Sequence, residues 1–239
     1  MMSEPKISIA IVTFNAESTL AETLESIISQ DYKNYELIVI DGQSNDGTHT
    51  IIDKYKEHIS VLVIEKDRGI YDAMNKAMDN ATGDFIIFLG SDDLLYQKNT
   101  LSCVAKKLKQ GKINYGRVVR SSDYKSHEGK CNKITLMFRN PCHQCIFYPS
   151  RAYKNSHYNI EYKIYGDWDF NLRLFNTYPI HYIKEIIAVF NVTGISNQKT
   201  DEKFLKDKDK IVSENYSWPY VYLYWVLKKI RNIKKRIMK

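Results

Sequence analysis

The chain has 239 residues, 44% of them hydrophobic and 26% charged, with only 10 Gly and 5 Pro. That composition supports a full core and excludes a collagen-like, low-complexity or largely disordered chain. The net charge is +7, and the seven bases after Glu214 (Lys228, Lys229, Arg231, Lys234, Lys235, Arg236, Lys239) account for all of it, so residues 1–214 are formally neutral. A nucleic-acid enzyme needs basic surface along the groove that holds its substrate, so no nucleic-acid partner is expected.

Four cysteines, at 103, 131, 142 and 145, are too sparse for a disulfide scaffold and fit a reducing compartment. Pro5 and Glu4 stand where a signal peptide would place its apolar stretch, and no uncharged apolar run is long enough to span a bilayer. The expectation is a cytoplasmic protein.

Along the chain, Ile7 to Thr13 is a β-branched run suited to a buried parallel strand, and Leu20, Leu24, Ile27 and Ile28 then mark one face of a helix. A second strand, Tyr35 to Ile40, ends at the turn-rich segment Asp41 to Thr48, and Ile51, Ile52 and Tyr55 give the next helix. A third strand, Ile59 to Glu65, leads through Asp67-Arg68-Gly69 into a helix with Met74 and Met78 that Gly83 should close. The fourth strand, Asp84 to Leu89, is the most apolar and is expected at the centre of the sheet. This alternation predicts an α/β fold with a mostly parallel open sheet and helices on both faces.

Further on, a helix is expected near Lys98 to Gln110, strands at Ile113 to Arg120 and Gln144 to Tyr148, a helix over Asp167 to Phe175 and a last strand near Tyr182 to Asn191. The organisation read from this is one domain over residues 1–214, with a donor half (1–96), an acceptor half (97–214) and a C-terminal segment (215–239).

Ligands of open sheets bind beyond the carboxyl ends of the strands. Those ends carry Thr13-Phe14-Asn15, Asp41-Gly42, Asp67-Arg68-Gly69 and Gly90-Ser91-Asp92-Asp93. Neither a dinucleotide fingerprint nor a P-loop follows any strand. Adjacent Asp92 and Asp93 at the end of an apolar strand repel one another, which a hard cation such as Mg²⁺ or Mn²⁺ would relieve, with diphosphate oxygens completing its shell. Each acid also has a plainer role open to it: a cap for the Asp pair, a solvated turn for Asp41 and Asp67.

The motifs Ile-Ala-Ile-Val-Thr-Phe-Asn, Glu-Leu-Ile-Val-Ile-Asp-Gly-Gln-Ser-Asn-Asp-Gly-Thr, Asp-Arg-Gly-Ile-Tyr-Asp-Ala-Met-Asn-Lys-Ala and Phe-Leu-Gly-Ser-Asp-Asp cover residues 7–93 in order. Together they resemble family 2 glycosyltransferases, closest to bacterial enzymes of O-antigen, capsule or exopolysaccharide assembly. The resemblance implies the GT-A fold, a nucleotide-sugar donor (a UDP-sugar favoured), a divalent metal (Mn²⁺ or Mg²⁺) and inversion at the anomeric carbon. By position, Thr13 and Asn15 would line the nucleotide pocket, Asp41 would bind the base, Asp67 would lie beside the nucleoside and Asp92 would hold the metal. Gly90 stands where many relatives have an Asp that touches ribose, which gives Asp93 a larger expected part in donor binding.

Inversion needs a base for the acceptor hydroxyl. Tyr165-Gly166-Asp167-Trp168-Asp169 resembles the family's Glu-Asp segment, with Gly166 in place of Glu, and implies Asp167 as that base. Arg173 could steer phosphate or pair with an acid. His143, in Pro141-Cys142-His143-Gln144-Cys145, could contact acceptor or diphosphate or be structural; without a second cysteine pair the Cys-x2-Cys spacing is a poor zinc signal. Thr193-Gly194-Ile195-Ser196 resembles a segment that closes over the donor.

The terminal segment carries Trp218, Tyr220, Tyr222, Tyr224 and Trp225, then Val226, Ile230, Ile233 and Ile237 on one helical stripe among Lys and Arg. Such a helix suits the headgroup layer of an anionic leaflet, here the inner face of the plasma membrane, and residues 218–239 are the expected peripheral membrane contact. Docking on the body or a dimer contact are the other uses of such a helix. The activity expected is sugar transfer to a glycan acceptor on a polyprenyl diphosphate carrier. The alternatives are nucleotidyl transfer, which lacks its basic phosphate loop here, and a catalytically degenerate scaffold of a polysaccharide assembly complex.

Overall fold

The computed structural model describes residues 4–127, 130–191 and 200–237. Its first half realises the expected parallel sheet. Strands β1 (Ile7–Thr13), β2 (Tyr35–Asp41), β3 (Val61–Ile64) and β4 (Phe85–Gly90) lie in the order β3-β2-β1-β4, all parallel. All seven residues of β1 are buried, as a strand covered on both faces requires. Helices α1 (Leu20–Ile28), α2 (Thr48–Lys54) and α3 (Ile70–Asn80) fill the crossovers. Leu20, Leu24 and Ile27 bury one face of α1; Tyr71, Met74, Ala77 and Met78 do the same for α3.

Register decides what meets at the strand ends. Thr13 pairs with Asp41, Val12 with Gly90, and Asp41 with Ile64. Those pairings bring the four predicted ligand-binding segments to one edge of the sheet.

β4 sits at the centre, as its apolar character predicts, and beyond it the sheet becomes mixed. β8 (Ile146–Pro149) runs antiparallel to β4 and to β6 (Ile113–Arg120), while β6 pairs in parallel with β9 (Ile180–Phe190). The two-residue strand β5 (Leu94–Leu95) closes the edge against β9, and β7 (Ser126–His127) pairs with β6. The strand–helix alternation that enforces parallel crossovers stops at β4, which frees later strands to enter in either direction. The β6–β9 ladder shifts register around Gly116, where a Cβ would come within 2.6 Å of Ile187.

Several boundaries differ from the sequence expectation. Gly83 does not close α3, which ends before Ala81; it lets the chain pass Ser8, whose backbone nitrogen would lie 2.7 Å from a Cβ there. Residues 143–145 form a 3₁₀ turn, with β8 starting only at Ile146. The helix after β5 is short, α4 (Thr100–Ala105), and α5 (Lys133–Leu136) and α6 (Ser150–Tyr153) are single turns. α7 (Gly166–Thr177) falls where expected, whereas α8 (Glu202–Asn215) has no counterpart in the sequence reading. It buries only Phe204, Ile211 and Val212, too sparse a stripe to stand out among its charges.

α9 (Trp218–Ile237) is the C-terminal amphipathic helix. One side docks on the body: Tyr224 is buried, its ring lies 5.3 Å from that of Phe138, and its hydroxyl donates to Asp209. The other side exposes Trp218, Tyr222, Trp225, Val226, Ile230 and Ile233. No helix among the described residues is long and apolar enough to cross a membrane.

Candidate active site

At the end of β1 the chain turns through Asn15, whose φ of 50° lies in the left-handed region that Asn tolerates better than most residues. Its side-chain oxygen accepts from the Asn45 amide at 2.9 Å, and its own amide donates to Ser44 Oγ at 2.8 Å. Asn15 therefore ties β1 to the loop after β2. Thr13, one pairing away, is buried, and its Oγ1 has no hydrogen-bond partner among the described residues. A buried hydroxyl without a partner is costly, and a ligand atom would satisfy it.

Asp41 is fully buried and already engaged: Ser44 donates to it through its amide and hydroxyl, at 2.9 and 2.5 Å, and His49 Nε2 lies 2.8 Å away. The carboxylate shapes the 41–49 loop from within. Asp67 packs against that loop, its Oδ2 only 2.9 Å from where a Cβ on Gly42 would stand, so the close approach requires glycine. Burial raises the Asp67 pKa, against the pull of Lys76, which donates to it at 2.5 Å.

The acid pair after β4 divides its labour. Asp93 is 2% exposed; it accepts from the Gly90 amide at 2.7 Å, from Gln144 Nε2 at 3.1 Å and from the Asn191 amide at 3.3 Å. Asp93, expected to take a larger part in donor binding, points inward, where those three donors satisfy it. Asp92 stays half-buried, and burial, then the neighbouring Asp93, raises its pKa. Gly90 has no room for the family's Asp in this arrangement, since a Cβ would lie 2.9 Å from both Asp92 Oδ1 and Asp93 Oδ2.

Asp167, in the first turn of α7, is held from several sides. Asn140 donates to Oδ2 at 2.8 Å, the Trp168 amide to Oδ1 at 2.8 Å, and Tyr71 shares its hydroxyl proton between the Ile164 carbonyl (2.6 Å) and Oδ1 (3.2 Å). Asn171 donates to Asn140 and accepts from Tyr148, a relay that fixes the Asn140 amide. Burial keeps the Tyr71 phenol well above its usual range, so it remains a donor. His143 Nδ1 lies 3.6 Å from Asp167 Oδ2. Burial alone would lower the His143 pKa, but the bond to Asp167 and the charges of Asp167, Asp93 and Asp92 raise it overall.

The 3₁₀ turn thus spans the site, with His143 beside Asp167 and Gln144 on Asp93. Asp92, Asp93, His143 and Asp167 come together; Thr13, Asn15, Asp41 and Asp67 gather around the neighbouring loop ends. Arg173 does not reach towards phosphate: it pairs with buried Asp169 one helical turn back, at 2.9 Å. Thr193 to Ser196 lie outside the described residues. The sequence reading assigned no role to Asn140, Asn171, Gln144 or Tyr71, although Tyr71 and Gln144 stood inside quoted segments.

Comparison with known proteins identifies the family. The profile of Glycosyl transferase family 2 matches residues 8–178. A "PGL/p-HBAD biosynthesis glycosyltransferase" of Mycobacterium tuberculosis is 36% identical over 216 residues, which cover 86% of this chain and 84% of that protein; a Mycobacterium bovis protein of the same description matches equally. Among solved structures, S. aureus TarS 1–349 in complex with UDP-GlcNAc superposes with a TM-score of 0.74 at 19% identity, over 87% of this chain and 71% of that one. The mannosyltransferase PcManGT from Pyrobaculum calidifontis, in complex with GDP-Man and Mn²⁺, does so at 0.64 and 16% identity, over 96% and 81%. These structures share the GT-A fold, and on sequence and profile the chain belongs to the family 2 glycosyltransferases.

Proposed function

We propose that the protein transfers a sugar, with inversion, from a nucleotide diphosphate donor to a hydroxyl of a lipid-linked glycan during assembly of a bacterial surface polysaccharide. The observation that carries this reading is the span from Asp167 through His143 and Gln144 to Asp93 and Asp92, which places one anchored carboxylate across from a carboxylate pair at the strand ends. Thr13, with its unpartnered hydroxyl, and the loop shaped by Asp41 and Asp67 supply the nucleoside side. A UDP-sugar is the favoured donor, because TarS, of the same fold, holds UDP-GlcNAc.

In the reaction, the acceptor oxygen attacks the anomeric carbon opposite the leaving diphosphate. The carbon–oxygen bond to phosphate breaks with its electron pair, and the acceptor proton passes to Asp167. Asn140 and Tyr71 hold that carboxylate in a single orientation, and His143 lies beside it.

No group of three or more His, Cys, Asp or Glu side chains forms a metal cage among the described residues. The donor set fits instead a hard cation shared with substrate, since Mg²⁺ and Mn²⁺ are commonly held by one or two carboxylates plus phosphate oxygens. Asp92 would hold it, and the raised Asp92 pKa marks a carboxylate that a cation would relieve. Such an ion would neutralise charge on the leaving diphosphate.

The exposed apolar stripe of α9 and the basic run that follows support contact with an anionic membrane surface, where a lipid-linked acceptor resides. The test of the whole reading is Asp167→Asn. Sugar transfer should fall by about 10²–10⁴-fold while UDP with Mn²⁺ still raises the melting temperature as in wild type. Transfer within tenfold of wild type would remove Asp167 as base, and a protein that binds no nucleotide would favour the scaffold alternative.

A further inference from the structure

Asp201 stands at the start of α8, and its carboxylate serves two segments of the chain at once. One oxygen caps the helix by accepting from the Phe204 amide at 3.1 Å. The other accepts from the amides of Ile164 at 2.9 Å and Tyr165 at 3.3 Å, which lead into α7. A helix cap needs one acceptor oxygen, and Ser or Asn supplies it as well as Asp does. The second oxygen is what an acid adds here. Asp201 is buried, and burial opposes its ionisation, yet the backbone donors outweigh it and hold its pKa below the usual carboxylate range.

The peptide group between Ile164 and Tyr165 carries this contact to the site. Its N–H donates to Asp201, and its carbonyl accepts from the Tyr71 hydroxyl at 2.6 Å. In a trans peptide the N–H and C=O point in opposite directions from one rigid plane, so the carboxylate at one end sets where the carbonyl stands at the other. The Tyr71 hydroxyl held there is the one that reaches Asp167 Oδ1 at 3.2 Å. The start of α7 is not fixed by its own cap, since Tyr165, the N-cap residue, makes no side-chain capping bond. Phe204, whose amide Asp201 binds, supports the same turn, its ring centre 5.6 Å from that of Tyr165 and 5.3 Å from that of Trp168.

We propose that Asp201 is a positioning residue for Asp167, acting through the Ile164–Tyr165 peptide and the Tyr71 hydroxyl to fix the direction in which that carboxylate meets the acceptor. This deepens the reading of Asp167 as the base and rests on it. It gives the first turn of α8, which lies outside the donor-binding motifs, a part in the reaction.

Asp201→Ser in the full chain separates the two duties, because serine offers a single oxygen that keeps the cap on Phe204. Amide exchange follows Asp167 directly. The Trp168 amide, in the first turn of α7, donates to Asp167 Oδ1 at 2.8 Å, so its protection reports where that carboxylate stands. In the variant it should exchange about tenfold faster than in wild type, while amides of β1 and β4 keep their rates. An unchanged Trp168 amide would overturn the coupling, and faster exchange throughout the sheet would make Asp201 a support of the whole fold and overturn it equally. Should the variant not fold, wild type still decides: its Ile164 and Tyr165 amides should be as protected as the interior of α7, and rapid exchange there would refute the clamp.

Turnover gives a second readout, followed well below the melting temperature as UDP released from a panel of UDP-sugars with Mn²⁺, with water standing in for the acceptor. In Asp201→Ser kcat should fall about tenfold, with the donor KM within about twofold of wild type. In a Tyr71→Phe background the same substitution should cost less than about twofold, because the hydroxyl it acts through is gone. Losses that simply multiply would refute the route through Tyr71. Wild-type UDP release by Asp167→Asn would remove the base reading and this proposal with it. A wild type that releases UDP from no sugar of the panel would count against the UDP-sugar reading instead, and the Trp168 amide would then decide the proposal.

Discussion

Gly166 replaces the family's Glu immediately before Asp167, and the structure gives a steric reason that can be measured. A Cβ at this position would stand 2.6, 2.7 and 2.9 Å from Cδ2, Cε2 and Cγ of Tyr71. Ordinary contact begins near 3.4 Å, so the ring would have to retreat by that difference. It has little freedom to do so: Tyr71 is 6% exposed, its ring stacks on Tyr158 with centroids 5.4 Å apart, and its hydroxyl is tied to Ile164 and Asp167.

Two effects of Gly166→Ala oppose one another. Alanine in place of a helical glycine gains about 0.5–1 kcal/mol from propensity, whereas overpacking a rigid ring costs about 1–3 kcal/mol. The overpacking term wins, because three ring atoms and not one mobile side-chain end receive the methyl group. Urea unfolding should show a net loss of about 1–2 kcal/mol. Since Tyr71 orients Asp167, kcat should fall by more than KM changes. A double-mutant cycle with Tyr71→Ala isolates the contact: in that background the added methyl should cost nothing further. Wild-type stability in Gly166→Ala, or an undiminished cost without the Tyr71 ring, would refute the steric account.

Restoring the family's acid by Gly90→Asp should lower metal-free stability by about 1–3 kcal/mol, because the new Cβ meets both Asp92 and Asp93. Mn²⁺ with UDP should then raise the melting temperature more than in wild type, and a variant as stable as wild type without metal would sink the argument. At the opposite end of the sheet, buried Glu36 accepts from Lys6, Ser8, Thr82 and Gly83. Burial opposes its ionisation, yet these bonds outweigh it and hold its pKa at about 2, below its ordinary 4.5. A depressed carboxylate contributes stability that is complete above its unfolded value and is lost as pH falls through the folded one. Acid titration of wild type should therefore show a loss between pH 4.5 and about 2 that Glu36→Gln lacks. Parallel acid profiles for the two proteins would contradict it.

The donor half was legible because its information is local. A buried parallel strand announces itself as a β-branched run, and register then places the residue after each run at a common edge. Thr13 beside Asp41 and Val12 beside Gly90 follow from that alone. Side-chain direction is a different matter. Asp92 and Asp93 are adjacent and alike in sequence, and only the donors on Gly90, Gln144 and Asn191 decide which turns inward. Asn140 and Asn171 were invisible for a related reason. Asn140 comes from an irregular segment 27 residues before Asp167, and an asparagine there carries no periodic signal. In α8, Asp201 caps the first turn by accepting from the Phe204 amide, but the sequence offers only three residues to bury.

The departures from the family pattern are coupled to what surrounds them. At Gly166 the space is filled by the Tyr71 ring, and at Gly90 by the two carboxylates that follow. Gly90 stands where the resemblance places an Asp and Gly166 where it places a Glu, while Asp92 and Asp167 remain after them. With Asp93 buried in hydrogen bonds, the proposed mechanism assigns Asp92 to the donor side and Asp167 to the acceptor. The Asn171–Asn140–Asp167 relay orients the Asp167 carboxylate, an arrangement that a degenerate scaffold would not need. The cost of ordering those amides is understandable where the carboxylate must meet a hydroxyl in one direction. The proposed inverting transfer has that requirement, since the base, the attacking oxygen and the departing diphosphate would have to stand in a fixed order across the anomeric carbon.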